Sequence, residues 1–150
     1  MADAADDWEP LRNPGHYFSR IVRGLSRIGD ARLRDLGFAT AQLPVLAALQ
    51  NGEQLSQTEL ARWAKVEQPT MAQMLARMER DGLVKREPDP HDRRSSLISL
   101  TDEAFARLPA GRAVLRQGNT EITNGLSSEE VDTLVSLLKR VLSNIEALER

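Results

Sequence analysis

Apolar residues recur every three or four positions along most of the chain, a spacing that predicts a mostly α-helical protein. The first such stripe comprises Tyr17, Ile21, Leu25 and Ile28. It follows Asn13-Pro14, a pair typical of an N-cap and a proline at the first helical position, and it stops before Gly37. The pattern therefore predicts a first helix over residues 14–36.

Two further helices follow, and each has a recognisable beginning. Thr40 is expected to cap a short second helix. Ser56 and Glu59 form an S-x-x-E capping box, which predicts the start of a third helix. This third helix is expected to end near Ala64, with Trp63 as a packing anchor inside it.

A fourth helix is predicted to begin around Pro69 and to end at Gly82. Its inward-facing residues are expected to be Met71, Met74, Leu75 and Met78. Only about four residues separate it from the third helix, and two helices joined so closely are typical of a helix-turn-helix.

After Gly82 the apolar period changes from helical to alternating. The segments LVKREP and SSLISL predict two short strands, with Ile98 and Leu100 on one face. Asp89-Pro90 between them favours a tight turn. A helix pair followed by a β-hairpin predicts a winged helix-turn-helix, a mostly α fold with a small β-hairpin wing.

Two long helices are predicted to complete the chain. Thr101 is expected to cap the first of them, and Ser127 and Glu130 form a capping box for the second. In the last helix the apolar residues alternate at steps of three and four: Val131, Leu134, Leu138, Val141, Ile145 and Leu148. Such a seam predicts that another helix packs against it.

The composition excludes several classes of protein. With 150 residues, 41% of them hydrophobic, the chain is long enough to form one domain with a real core. The absence of cysteine excludes disulfides and thiolate metal sites. No apolar run is long enough to span a membrane, so a cytoplasmic location is expected. There is no serine elbow, phosphate-binding glycine motif or metal-ligand cluster, and His91 beside Asp92 does not suffice for catalysis, so neither an enzyme nor a cofactor is expected.

The distribution of charge does not identify a partner by itself. The net charge is −2, and four acids without a base lie in the first ten residues, within an expected flexible tail over residues 1–12. Residues 56–100 carry eight basic and seven acidic side chains. A role in nucleic-acid binding must therefore be argued from where the polar residues lie.

Their placement favours DNA. A recognition helix presents the residues of its N-terminal half to base edges in the major groove, and residues 68–81 are expected to form that helix. The residues predicted to contact DNA here are Ser56, Gln57, Gln68, Pro69, Thr70, Gln73 and Arg77. Arg93 and Arg94 are predicted at the tip of a wing over residues 85–99, where a guanidinium can enter a minor groove. Asp92 is expected to hold the Arg94 guanidinium in one orientation.

The alternative is that these polar residues form an ordinary solvated surface, in which case the chain would be a winged-helix protein-interaction module without specific DNA binding. The presence of both features at the right separation favours the first interpretation.

The segment LSQTELARWAKVEQPTMAQMLARMERDGLVKREPDPHDRRSSLISLT resembles the core of the MarR family of bacterial transcriptional regulators. The similar parts are the run LARMERDGLV, the D-x-x-D-R-R wing and the closing LT before a helix, and the resemblance spans about residues 14 to 148. It implies a homodimer that binds a pseudo-palindromic operator. It also implies that residues 13–37 and 101–150 form the dimerisation helices around a DNA-binding lobe over residues 38–100. The dimer contacts would then include Tyr17, Ile21 and the seam of the last helix.

The resemblance further implies a repressor that a small, often aromatic, anion releases from DNA. The ligand would lie between the dimerisation helices and the DNA-binding lobe, and the candidates to bind it are His16, Arg20, Arg23, Phe38, Leu43 and Leu46. Solvent exposure of the polar residues and core packing of the apolar ones are the alternatives. The chain departs from the family pattern at Glu67, where a Ser or Asp cap is frequent, at Gln73, where an arginine is common, and at Pro44, where an aromatic residue is frequent.

Overall fold

A computed structural model describes residues 9–150, so most of the predicted acidic tail, residues 1–8, lies outside the described residues. The six α-helices of this part are α1 (Pro14–Leu33), α2 (Leu43–Leu49), α3 (Gln57–Ala64), α4 (Gln68–Arg80), α5 (Asp102–Ile122) and α6 (Ser128–Leu148). The strands are β1 (Leu55–Ser56), β2 (Val84–Asp89) and β3 (Asp92–Leu100). Short 3-10 helices lie at Pro10–Arg12, Arg34–Leu36 and Thr40–Gln42. The predicted class, mostly α with a small β wing, is confirmed.

The chain divides into two compact units, with the boundary between Val114 and Leu115 inside α5. The first unit contains α1 to α4, the sheet and the first half of α5. The second contains the rest of α5 together with α6. Within residues 9–150, no helix combines the length and the apolar character that a membrane span needs.

The end of α1 differs in one detail from its prediction. The helix itself ends at Leu33, and the last predicted turn, Arg34–Leu36, is a 3-10 helix that stops at Gly37. Gly37 has a φ of 78°, a left-handed conformation that glycine adopts without steric cost. The predicted stop is therefore confirmed.

The prediction that Thr40 caps the second helix is wrong. Thr40 is the first residue of the 3-10 helix that precedes α2. Its N–H and its hydroxyl both donate to Oδ1 of Asp30 in α1, over 2.7 and 2.8 Å. The hydroxyl thus binds a charged acceptor in the preceding helix, which is a stronger bond than one to a neighbouring main-chain group. Gly29 permits this approach, since a Cβ there would lie 2.5 Å from Cγ2 of Thr40.

The helix-turn-helix forms as its capping signals predict. The Ser56 hydroxyl accepts from the Glu59 N–H over 3.2 Å, and the Glu59 carboxylate accepts from the Ser56 N–H over 3.3 Å. Lys65 ends α3 in a left-handed conformation with a φ of 59°. The two helices bury a common apolar core that includes Leu60, Met71, Leu75 and Met78.

Two predictions about side chains in this pair are wrong. Met74 is half-buried rather than packed inward with its neighbours on α4. Trp63 is 54% exposed and does not act as a packing anchor. The inward face of α3 is formed by Leu60 and Ala61, which are the buried residues of this helix.

The wing is a three-stranded sheet rather than the predicted two-stranded hairpin. Its strand order is β1-β3-β2, and all pairs are antiparallel. The added strand, β1, is only two residues long and pairs with Leu97 and Ile98 of β3. It links the start of α3 directly to the wing.

Both predicted caps of the C-terminal helices are confirmed. The Thr101 hydroxyl oxygen accepts from the Ala104 N–H at 3.2 Å, and the same hydroxyl donates to the Gly82 carbonyl at 2.7 Å. In the second unit, the Ser127 hydroxyl accepts from the Glu130 N–H, and the Glu130 carboxylate accepts from the Ser127 N–H. No residue of α6 is buried, although its seam is apolar throughout.

Candidate nucleic-acid interface

The amphipathic pattern of α4 decides which of its residues face solvent. Met71, Leu75 and Met78 are fully buried and hold one face of the helix against the core. The opposite face exposes the predicted DNA contacts of this helix: Gln68, Pro69, Thr70, Gln73 and Arg77. The sequence prediction thus places these residues correctly at the surface, while their contact with DNA remains a prediction.

The start of α4 is tied to the start of α3 by a side-chain bond. The Gln57 amide donates to the Gln68 side-chain oxygen over 3.1 Å. Ser56, the neighbour of Gln57, uses its hydroxyl to cap α3. Ser56 therefore has a structural role as the cap of α3, and Gln57 orients the side chain of Gln68.

A concavity of about 240 Å³ lies between α4 and the 3-10 helix before α2. Its lining residues are Ala39, Ala41, Gln42, Thr70, Gln73, Met74 and Arg77. Three of them are predicted DNA contacts. Sequence reasoning missed this feature because Ala39 to Gln42 approach α4 only in the folded chain.

The wing turns at Pro90 and His91. Asp89 pairs with Asp92 across this two-residue turn, as the Asp89-Pro90 signal predicts. Arg93 and Arg94 are exposed, but they lie on β3 after the turn. The prediction that they occupy the wing tip is therefore wrong by two to three residues, because the turn is tighter than the prediction assumed.

The two arginines lie in an irregular part of the hairpin. Pro88 and Asp89 are adjacent on β2, whereas their partners on β3 are Ser96 and Asp92. The segment from Arg93 to Ser95 therefore has no partner residue on β2, as in an extended β-bulge. A bulge of this kind changes the direction of the side chains on its strand. Pairing with β2 therefore does not fix the backbone of the two arginines.

Asp92 acts on the wing through its main chain. Its Oδ1 accepts from the N–H of Arg94 over 2.9 Å, and the Asp89 Oδ1 accepts from the N–H of His91 over the same distance. The predicted contact of Asp92 with the Arg94 guanidinium is not formed. A carboxylate two residues before an N–H forms a local turn, and here that turn takes precedence over an ion pair.

The positive charges of this surface differ in whether they are neutralised. Arg86 of β2 is 2.9 Å from the Glu79 carboxylate of α4, and this pair joins the wing to α4. Across residues 9–150, by contrast, no acid lies within ion-pairing distance of Arg77, Arg93 or Arg94. A guanidinium group without a neighbouring acid remains available to pair with an external anion. Sequence reasoning missed the Glu79–Arg86 pair, which depends on how the turn at Gly82 folds.

The predicted ligand residues have different environments. Phe38 is buried, with its ring against Gly111 of α5, and Leu46 is also buried, while Leu43 is half-buried. These positions agree with the alternative of core packing. Arg20 and Arg23 are exposed, and Arg23 donates to the Ser19 hydroxyl over 2.7 Å.

His16 is the unusual member of the ligand set. Its Nε2 is shielded from solvent and has no hydrogen-bond partner within the described part of the chain, residues 9–150, and its ring packs edge-on against Tyr17. A shielded polar atom without a partner is rare in native structures and costs free energy.

The predicted dimer residues are apolar and largely exposed within one chain. Tyr17 and Ile21 of α1 are 46% and 53% exposed. In the seam of α6, Val131 and Val141 are half-buried, while the exposed members are Leu134, Leu138, Ile145 and Leu148.

Solved structures with the same arrangement cover nearly the whole chain. A mutant of MarR from E. coli in complex with operator DNA is 28% identical, with a TM-score of 0.81 over 92% of this chain and 99% of that one. The S. aureus MepR–DNA complex is 24% identical, with a TM-score of 0.81 over 88% and 98%. PcaV of Streptomyces coelicolor in complex with its natural ligand is 24% identical, with a TM-score of 0.80 over 95% and 98%. The similarities to MepR and PcaV, both at 24% identity, show that the fold is shared.

A model of the MarR family also matches residues 36–95, which contain the helix-turn-helix and most of the wing. The family match covers the surface that carries the unpaired arginines, and the structural match to E. coli MarR extends to the flanking helices. Residues 36–95 thus match the MarR family of winged-helix transcription regulators, which are DNA-binding proteins and not enzymes, and the chain as a whole shares the fold of E. coli MarR.

Proposed function

We propose that this protein is a homodimeric repressor that binds a pseudo-palindromic operator and is released by a small anionic ligand. In this proposal α4 enters the major groove and the wing enters the minor groove of each half-site. The observation that carries the proposal is the exposed, unpaired set of Arg77, Arg93 and Arg94 beside the polar face of α4. Among residues 9–150, no acid lies within ion-pairing distance of these three exposed cations, so they are available to bind phosphate or base edges.

Dimerisation is supported by the surface of α6. This helix has 21 residues and buries none of them, while seven of its large apolar residues are exposed: Leu134, Val135, Leu137, Leu138, Leu142, Ile145 and Leu148. An apolar surface of this length is typical of an interface. Two copies related by a two-fold axis would bury the same seam from both sides and would present two recognition helices to the two half-sites.

The ligand is proposed from the environment of α1. The shielded Nε2 of His16 has no hydrogen-bond partner among the residues that the structure describes, and Arg20 lies one turn further along the helix with its side chain exposed. A small carboxylate could accept a hydrogen bond from the imidazole and pair with the guanidinium. PcaV, a structure of the same fold, holds its natural ligand. A ligand that changes the orientation of α1 would shift the dimer between conformations that bind the operator and conformations that do not.

The direct test is binding to DNA from the promoter region of the protein's own gene. Affinity should fall steeply as the salt concentration rises, because each phosphate contact releases counterions. Arg94→Ala should weaken binding by about 1–3 kcal/mol, the scale of one lost specific contact. Failure of the wild-type protein to bind any such fragment at low salt would contradict the proposal and favour a protein-interaction module.

Asp92 supplies a matched pair of control variants. In Asp92→Asn the side-chain oxygen can still accept from the Arg94 N–H, and one negative charge near phosphate is removed. This variant should bind DNA at least as tightly as the wild type. Asp92→Ala removes the acceptor and should weaken binding by about 1 kcal/mol, the net value of one hydrogen bond. Equal losses in both variants would instead indicate that the charge of Asp92 orients a guanidinium.

A further inference from the structure

The apex of the wing is occupied by a residue to which the proposed mode of DNA binding assigns no role. Pro90 and His91 form the two-residue turn between β2 and β3, and both side chains are exposed. Arg93 and Arg94 lie two and three residues behind His91. When a hairpin enters a groove, its turn reaches the floor first, and the residues behind it lie closer to the sugar-phosphate walls.

The imidazole of His91 is carried on an ordered turn. The main-chain N–H of His91 donates to the Asp89 Oδ1 over 2.9 Å, and the preceding proline restricts the backbone at the first position of the turn. The second acid, Asp92, uses Oδ1 to accept from the Arg94 N–H on the other side of the turn. Each acid therefore directs one oxygen toward the main chain. A turn that is ordered before binding loses little conformational entropy when it enters a groove.

The chemistry of an imidazole matches one kind of groove floor. The minor-groove edges of A·T pairs present only acceptors, adenine N3 and thymine O2, whereas guanine adds an amino group that projects into the groove. Imidazole carries at least one N–H donor in either protonation state. Narrow, A·T-rich minor grooves also have an enhanced negative potential, which attracts inserted Arg, Lys and His side chains.

We propose that His91 is a specificity-determining residue, and that it donates a hydrogen bond to the floor of an A·T-rich minor groove beneath the wing. The inference rests on the proposed function, because it requires the wing to bind DNA. It adds a base-selective contact at the apex to the contacts of the arginines behind it. The partner it identifies is a chemical one: a run of A·T pairs without a guanine amino group.

The test uses three versions of one bound fragment. Hydroxyl-radical footprinting of the wild-type dimer first locates the minor groove that the wing protects. The A·T pairs at that place are then replaced by G·C or by inosine·C, which lacks the guanine amino group but keeps the other atoms of the pair. The wild type should bind the G·C version about 5- to 30-fold more weakly, the range for one lost base contact, and the inosine version almost as tightly as the original.

Two variants at position 91 then separate the side chain from the fold. His91→Ala should weaken binding to the A·T fragment by about 5- to 30-fold and should bind the three fragments within about threefold of one another. His91→Gln retains an N–H donor and should keep most of the preference for A·T over G·C. Since residue 91 is exposed at a turn, both variants should retain the thermal unfolding midpoint of the wild type.

The outcomes are distinguishable from those of the proposed function. If the wild type binds the operator and His91→Ala shows the same contrast between A·T and G·C fragments, the role of His91 is refuted and operator binding stands. If guanine pairs bind more tightly than inosine pairs, the imidazole accepts from the amino group and the proposed donor contact is also refuted. If the wild type binds no fragment, the proposed function itself fails.

Discussion

The winged-helix core and the last helix use apolar residues in opposite ways. Leu75 and Met78 of α4 are completely shielded from solvent by other residues of this chain. In α6, Leu138 is 40% exposed and Leu142 is 55% exposed, and no residue is buried. Both helices have a clear apolar stripe, so the pattern indicates only that each needs a partner surface. The first finds it within one chain, and we infer that the second finds it in another copy.

The largest effect is expected in the core of the winged helix. Leu75→Ala should lower the free energy of unfolding by about 2–5 kcal/mol, because it removes a fully buried side chain and leaves a cavity. Urea unfolding followed by circular dichroism measures this loss. Since the cavity lies inside one unit, the loss should be the same at low and high protein concentration, and a strong dependence on concentration would contradict the comparison.

A smaller and different effect is expected in the seam of α6. Leu138→Ala should weaken dimer association by about 1–2.5 kcal/mol, because a dimer contains two copies of this leucine, each 40% exposed in one chain and buried on association. Sedimentation equilibrium over a range of protein concentrations measures the dissociation constant directly. Ser136→Ala is the matched control, since Ser136 lies on the opposite side of α6 from the seam. A dimer that tolerates Leu138→Ala unchanged would show that the seam binds something else.

The smallest effects are expected at two carboxylates that make similar bonds in the two units. The N–H of Thr40, and then its hydroxyl, lower the pKa of Asp30 below its ordinary value of 3.8. The N–H of Ser127, and then its hydroxyl, lower the pKa of Glu130 below its ordinary value of 4.5. A lowered pKa in the folded state means that each group stabilises the fold fully above its ordinary pKa, and that this contribution is lost as the pH falls through the folded value.

Asp30→Asn should therefore be less stable than the wild type at pH 6, and the difference should shrink as the pH falls below about 4. Glu130→Gln should behave in the same way. Urea unfolding at several pH values measures both differences. Asp30→Asn should affect the first unit, and Glu130→Gln should affect the start of α6 in the second unit. A difference that grows with acidity would contradict the assigned cause of the lowered pKa values.

Local signals in the sequence predicted much of the fold, because they depend on neighbours within a few residues. The capping boxes at Ser56 and Ser127 are both formed, and Gly37 and Gly82 both adopt the left-handed conformation that ends a helix. The amphipathic period of α4 also predicted its exposed polar face. These features follow from hydrogen bonds and side-chain spacing along one short segment, so no distant residue is needed to anticipate them.

The errors arose where a distant group competed with a local one. Thr40 bonds to Asp30 instead of capping α2, because α1 brings a carboxylate within reach of its hydroxyl. Asp92 binds a main-chain N–H instead of a guanidinium, since the tight turn places that N–H closer. Trp63 and Met74 were expected to pack inward, but the buried residues of α3 and α4 are Leu60, Ala61, Met71, Leu75 and Met78.

By itself, the sequence determined the order of the helices, most of their caps, the presence of a wing and the resemblance to the MarR family. The tertiary structure alone decided that β1 joins the sheet, that Glu79 pairs with Arg86, and that His91 rather than the arginine pair forms the apex of the wing. The physical reason is the range of the interactions. Caps and amphipathic stripes are encoded within a few residues, whereas strand pairing, cross-element ion pairs and the register of a turn depend on segments that meet only in the folded chain.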